Sequence, residues 1–246
     1  MSMAEPVILS GAHLVETVLR HGRARPDELL VLRGGSSKGL SRLATLAESK
    51  GVKVRMVDEM AALAGVAHPP SDAAVPSDVS LALPGREPAD LASPSLVLAC
   101  EGIEDPRNLG DVLRSAFAAG ADSAVLDAHA REMPRDVVAR SSAGASECLA
   151  VAFAEDLPAE LARLRSLGVE PVAAVAEEGE DAFRMKWPAK LALVIGGERR
   201  GLSGGVLAAC PRRVTIPMAK GAQSLSASAG AAVLLFEIAR FRGGSR

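Results

Sequence analysis

The sequence predicts an α/β protein: a mostly parallel sheet flanked by helices, preceded by a second, smaller α/β unit. Three observations predict it. Short apolar runs such as SLVLAC and LALVIG read as buried strands, and they alternate with segments of helical periodicity. Glycines and prolines punctuate the boundaries between the two kinds of segment. One stretch, 68–94, carries six prolines with little periodicity and reads as an extended linker.

In the first unit GAHLVETVLRHG sets Leu14, Val18 and Leu19 at helical spacing, and ELLVL follows as a strand. SKGLSRLATLAESKG then places Leu40, Leu43, Ala44, Leu46 and Ala47 on a helix that Gly51 ends, with KVRMV as the next strand. The expected division is a unit at 1–75, a linker at 76–94 and a larger domain at 95–246. That domain opens with the strand SLVLAC. In NLGDVLRSAFAAG, Leu109, Val112, Leu113, Ala116 and Phe117 form one apolar helix face, Asn108 occupies an N-cap position and Gly120 a C′ position. After it come ADSAVLD as a strand, PRDVVARSSAGA as a helix and ECLAVAFA as a strand. LPAELARLRSLG, VEPVAAVA, LALVIG, SGGVLAAC and RRVTIP continue as helix, strand, strand, short helix and strand, and a long helix closes the chain.

The chain has 246 residues, 48% of them hydrophobic, and a formal net charge of −2. A charge so near zero supplies no global field for a polyanion, so nucleic-acid binding has to come from local basic patches. Arg20, Arg23, Arg25 and Arg33 make one such patch, and 207–246 holds six Lys or Arg against the single acid Glu237. Five Phe, one Trp and no Tyr argue against an RNA binder built on stacking aromatics. Cys100, Cys148 and Cys210 stand far apart with no C-x-x-C spacing, so no metal site and no disulfide framework are expected, and a cytoplasmic location fits. The N-terminus lacks a signal pattern and the apolar run AGAAVLLF stops at Glu237, so neither secretion nor a membrane span is expected.

Three segments carry candidate chemistry. On the helix of NLGDVLRSAFAAG, Arg114 lies off the apolar stripe, one turn after Asp111, where it can be that residue's solvated i,i+3 partner or can reach a phosphate. LALVIGGERRGLSGG sets a glycine-rich turn directly after a strand, where α/β proteins bind ligands, and Gly196, Gly197 and Gly201 allow positive φ or close approach of the backbone. The turn is not G-x-G-x-x-G. The sequence GGSSKG at 34–39 is not a phosphate loop either, because Lys38 is in the wrong register. In VTIPMAKGAQSLSASAGAAVLLFEIAR, Pro217 ends a strand and small residues follow that allow tight packing.

Taken in order, Asn108, Gly110 and Arg114, then 196–203 (GGERRGLS), then 216–218 (IPM) with 224–229 (SLSASA) resemble the three signature motifs of the SpoU/TrmH family of RNA ribose 2′-O-methyltransferases, in the SPOUT superfamily. The resemblance runs over 95–240, and the opening GAHLVETVLR is similar to the accessory RNA-binding domain of the ribosomal-RNA branch. It implies a parallel sheet with a C-terminal trefoil knot and a small N-terminal domain like ribosomal protein L30. It also implies S-adenosylmethionine as cofactor, RNA (ribosomal in the first instance) as partner, and a homodimer. By position, Val194, Ile195, Gly196, Gly201, Ile216, Pro217, Met218 and Leu225 would bind the cofactor, and Asn108, Arg114, Glu198, Ser224 and Ser226 would form the active site. The family's third motif usually reads S-L-N, and Ser226 stands at that asparagine. The alternatives are a non-catalytic knotted RNA-binding protein, or a related enzyme acting on transfer RNA or on a base.

Overall fold

In the computed structural model, the described residues are 3–35, 39–58, 77–86, 89–221 and 224–243. Residues 36–38 of the GGSSKG segment lie outside them, as do 59–76 and 87–88, in and just before the proline-rich stretch.

The N-terminal unit runs β1 (Val7–Ser10), α1 (Ala12–His21), β2 (Glu28–Leu32), α2 (Leu40–Ser49), β3 (Lys53–Val57) and β4 (Val79–Leu83). Its sheet has the order β1-β4-β2-β3. The expected linker at 76–94 is therefore corrected in part: 79–83 is a strand, antiparallel to both β1 and β2. The reason is burial. Leu81 stands opposite Leu9 and Leu29, all three are buried, and Ser80 and Ser10 share a 2.7 Å hydroxyl contact. Pro84 directly follows the strand, so it ends the pairing without costing a ladder hydrogen bond.

The larger unit runs β5 (Leu96–Glu101), α3 (Pro106–Ala118), β6 (Ser123–Asp127), α4 (Arg135–Ser141), β7 (Ala150–Ala154), α5 (Leu157–Ser166), β8 (Glu170–Ala174), β9 (Glu180–Asp181), β10 (Leu191–Gly196), α6 (Gly204–Ala209), β11 (Arg212–Thr215) and α7 (Ala227–Phe241). Its seven strands have the order β7-β6-β5-β10-β8-β11-β9 and pair in parallel. The period of two along a strand decides which helix each residue meets. Leu96, Leu98, Cys100, Leu191, Leu193 and Ile195 pack with α3 and α7, whereas Val97, Ala99, Ala192 and Val194 pack with α5 and α6. Both faces are covered, as the sequence led us to expect.

Helix α3 begins earlier than its apolar stripe suggests. Asp105, not Asn108, is the N-cap, accepting from the Arg107 backbone N–H at 2.8 Å, and Pro106 supplies the first helical residue with its φ already set. At the far end Gly120 adopts φ +88°, while its N–H and that of Ala121 donate to the carbonyls of Phe117 and Ala116, which is a Schellman ending.

Chain order places the ligand crevice. From β5 the chain steps outward to β6 and β7, crosses to β8, and then returns to insert β10 between β5 and β8. The carboxyl ends of β5, β10 and β8 surround this change of direction, the position where open α/β sheets take ligands.

Candidate functional site

The site is built at the end of β10, and glycines make it possible. A Cβ on Gly196 would lie 2.5 Å from the Gly201 backbone carbon, and one on Gly197 would lie 1.8 Å from the carbonyl oxygen of Gly102. The turn 197–201 closes with the Gly201 N–H donating to the Gly197 carbonyl at 2.9 Å, and Gly201 alone of these three has positive φ, +62°. Gly196 and Gly197 are thus required for close backbone approach, whereas Gly201 is required for its conformation. Glu101, at the end of β5, fixes the far side of the turn by accepting from the backbone N–H and hydroxyl of Ser203 at 2.7 and 2.8 Å. Ser203 in turn caps α6.

Two cavities flank this turn. The first, of about 140 Å³, is walled by Ile195, Val214, Ile216, Met218, Leu225 and Leu234. Gly196, Ser224 and Ser226 complete it, with Ala174, Val175 and Ala176 at the end of β8. The second, of about 180 Å³, is lined by Gly102, Ile103, Glu104, Asp105, Asn108, Gly197, Glu198, Arg199 and Ala227. Ala227 belongs to both linings, so the cavities adjoin.

Of the residues expected to bind cofactor, Ile195, Gly196, Ile216, Met218 and Leu225 line the first cavity. Val194, Gly201 and Pro217 do not. Val194 points to the α5 and α6 face, because β10 alternates and its neighbour Ile195 takes the α7 face. Gly201 serves instead as backbone wall against Gly196.

Of the residues expected in the active site, Asn108 and Glu198 meet in the second cavity, with Asn108 Nδ2 donating to Glu198 Oε1 at 3.2 Å. Ser224 and Ser226 line the first. Ser226 is the N-cap of α7, its hydroxyl accepting from the Ala229 N–H at 3.2 Å. Arg114 lines neither cavity. It is exposed on α3 with no hydrogen-bond or ion-pair partner among the described residues, about 9 Å along the helix axis from Asn108 at 1.5 Å per residue. Gly110 holds α3 against α4: a Cβ there would lie 1.8 Å from the Ser141 hydroxyl.

Sequence reasoning passed over the end of β8 and residues Val214 and Leu234, whereas Gly230 is one of the small residues noted after Pro217. Only the strand order, which sets β8 beside β10, could have pointed to Ala174. The described residues contain no group of three or more His, Cys, Asp or Glu able to hold a metal, and no helix long and apolar enough to cross a membrane.

Residues 95–236 match the model of the SpoU rRNA Methylase family, more than half of the chain. The chain belongs to that family. This SpoU family chain is 30% identical over 243 residues to the 23S rRNA (guanosine-2′-O-)-methyltransferase RlmB of Ralstonia nicotianae, covering 98% of each chain. It is 33% identical over 245 residues to an uncharacterized tRNA/rRNA methyltransferase of Mycolicibacterium vanbaalenii, covering 96% of this chain and 76% of that one. In fold it is similar to the SpoU methyltransferase AviRb of Streptomyces viridochromogenes, solved in complex with AdoMet. There the TM-score is 0.75 at 24% identity, over 98% of this chain and 92% of the other.

Proposed function

We propose that this SpoU family protein transfers a methyl group from S-adenosylmethionine to a ribose 2′-hydroxyl of ribosomal RNA. One observation carries the reading: an apolar cavity lined by motif residues adjoins a polar one holding Asn108 and Glu198, so that a methyl donor and an acceptor ribose can face each other across Ala227.

The first cavity fits the cofactor. Its aliphatic walls suit an adenine ring, and strand-end backbone supplies donors and acceptors. Gly230 leaves it open, since the nearest atom to a Cβ there is Ile216 Cδ1 at 4.0 Å. When bound, the cofactor supplies an electrophilic methyl on a sulfonium. The acceptor 2′-hydroxyl would take that methyl and release its proton to solvent, the cofactor being left as a neutral thioether. The chain contributes chiefly by positioning. Glu198 orients Asn108 toward the acceptor. Arg114 is assigned to the RNA as an anion-gripping group, because a guanidinium stays protonated and is unsuited to take a proton.

The same reading gives the C-terminal part of the chain a trefoil-knotted path. It makes the N-terminal unit an L30-like RNA-binding domain and the active protein a homodimer in the cytoplasm. The exposed Val233 and Phe236, one turn apart on α7, support pairing through that helix.

The test is incubation of the protein with 23S rRNA transcripts and methyl-labelled S-adenosylmethionine. The expected product carries label on one ribose and resists alkaline cleavage at that position. Label on a base, or transfer RNA accepted in place of ribosomal RNA, would overturn the assignment.

A further inference from the structure

The turn 197–201 presents a cation for which the site described above has no use. Its base is pinned by the Gly201 to Gly197 hydrogen bond and by the close approach of Gly197 to Gly102. From that base Glu198 turns in to Asn108, while Arg199 reaches across to Glu104 at 3.3 Å. Glu104 lies on the loop after β5 and Arg199 on the loop after β10, and both line the second cavity. The pair spans it.

The charge balance there is unfavourable for RNA. The lining carries three carboxylates, Glu104, Asp105 and Glu198, and one cation, Arg199. Asp105 is engaged in capping α3 and Glu198 in holding Asn108. A ribose entering this cavity brings its flanking phosphates to an acidic cleft, and Arg199 is the lining group of opposite charge. Its bond to Glu104 is replaceable, since the two side chains are 82% and 54% exposed and an exposed ion pair is weak in water. A backbone phosphodiester offers the guanidinium a two-point contact with the same single negative charge.

Resting on the methyltransferase reading, we infer that Arg199 is a positioning residue that binds a phosphate beside the target ribose, and that Glu104 holds it across the cavity until RNA arrives. The exchange is one anion for another. Glu104, exposed, returns to solvent, and the arginine takes the phosphate in its place.

The experiment measures the binding of a 23S rRNA transcript to the full-length protein, with S-adenosylhomocysteine present, over a range of salt concentrations, alongside methyl-transfer kinetics. Arg199→Ala should raise Kd and KM for RNA about tenfold, leave kcat within about twofold, and lower the slope of log Kd against log salt by about one, the signature of one lost phosphate contact. S-adenosylhomocysteine affinity should not change. Arg199→Lys should recover part of the loss, and Glu104→Gln should tighten RNA binding by releasing the arginine. An Arg199→Ala variant with unchanged RNA affinity and salt slope would overturn the inference, as would a Glu104→Gln variant as impaired as Arg199→Ala, which would make the pair a structural brace. A wild-type protein that binds no RNA would instead remove the methyltransferase reading, and this inference with it.

Discussion

Ser226 stands where the family motif usually has asparagine, and its position explains why the exchange is tolerable. Its hydroxyl caps α7 through the Ala229 N–H, a task that serine and asparagine perform about equally well. Ser226→Asn should therefore keep the melting temperature and preserve or raise methyl transfer. Ser226→Ala should lose about 1 kcal/mol in thermal unfolding, the usual cost of an N-cap. A large loss of turnover in Ser226→Asn would show a cavity rebuilt around the smaller side chain. Arg114 is the opposite case, a residue whose surroundings explain nothing of its presence, exposed and unpaired among the described residues. Arg114→Ala should abolish methyl transfer while S-adenosylhomocysteine affinity, read by calorimetry, stays within about twofold, the pattern for a contact made to the reacting RNA alone. Wild-type turnover in that variant would remove Arg114 from the mechanism. The motifs singled out both residues in the sequence, and the structure places Ser226 in the first cavity and Arg114 in neither. The capping of α3 was not legible there, because Asp105 lies outside the apolar stripe that locates the helix, although Asp-Pro is itself a start signal.

At the scale of elements, β10 and α7 make the site between them. Strand β10 ends in two glycines that admit neighbouring backbone, and the first turns of α7 close the cavity with Ala227, Gly230 and Ala231. Gly230 is the informative position. It is helical, a Cβ there meets nothing closer than 4.0 Å, and glycine costs a helix about 1 kcal/mol relative to alanine. Gly230→Leu should therefore unfold at the same or a higher temperature while losing more than about tenfold in S-adenosylhomocysteine affinity, because the added side chain enters the cavity. A rise in stability with unchanged affinity would place the cofactor elsewhere. The strands from β5 to β8, together with β10 and β11, were readable from their apolar runs and flanking glycines. Strand β4 was not. Its five-residue run sits among prolines, and its antiparallel partners β1 and β2 are distant in sequence, so only the assembled sheet reveals the pairing. The end of β8 escaped for the same reason: which strand neighbours β10 is decided by strand order, and local pattern carries no record of it.

Across the whole molecule, the two units meet at a buried cluster of charges. Arg135 on α4 donates to the carbonyls of Glu5 and Pro84 in the N-terminal unit at 2.6 and 2.8 Å, and to the Glu147 carboxylate at 2.8 Å. Arg86 donates to Glu147 from the other side at 2.6 Å. Burial pushes the Glu147 carboxyl up, but the two guanidinium groups override it and hold the carboxyl at about 2, below its ordinary 4.5. A carboxyl depressed on folding contributes stability that is complete above about pH 4.5 and is lost as the pH falls toward 2. Removing one partner of a buried pair leaves charge uncompensated and costs about 3–5 kcal/mol. Glu147→Gln should thus be less stable than wild type at pH 6 by about that amount in urea unfolding, and the gap should narrow as both are titrated through pH 3 and close only toward pH 2. Other depressed carboxylates, Glu16, Glu28, Glu180 and Glu237, are unaltered by the substitution, so the difference between the two curves isolates Glu147. A gap that persists at low pH would assign the loss to packing and not to charge. The consequence reaches the site because α4 packs on α3 at Gly110, and α3 carries Asn108. Near pH 6, Glu147→Gln should therefore also raise KM for RNA more than it weakens S-adenosylhomocysteine binding, since the cavity proposed for the cofactor is formed by β8, β10, β11 and α7, none of which contributes a residue to the cluster.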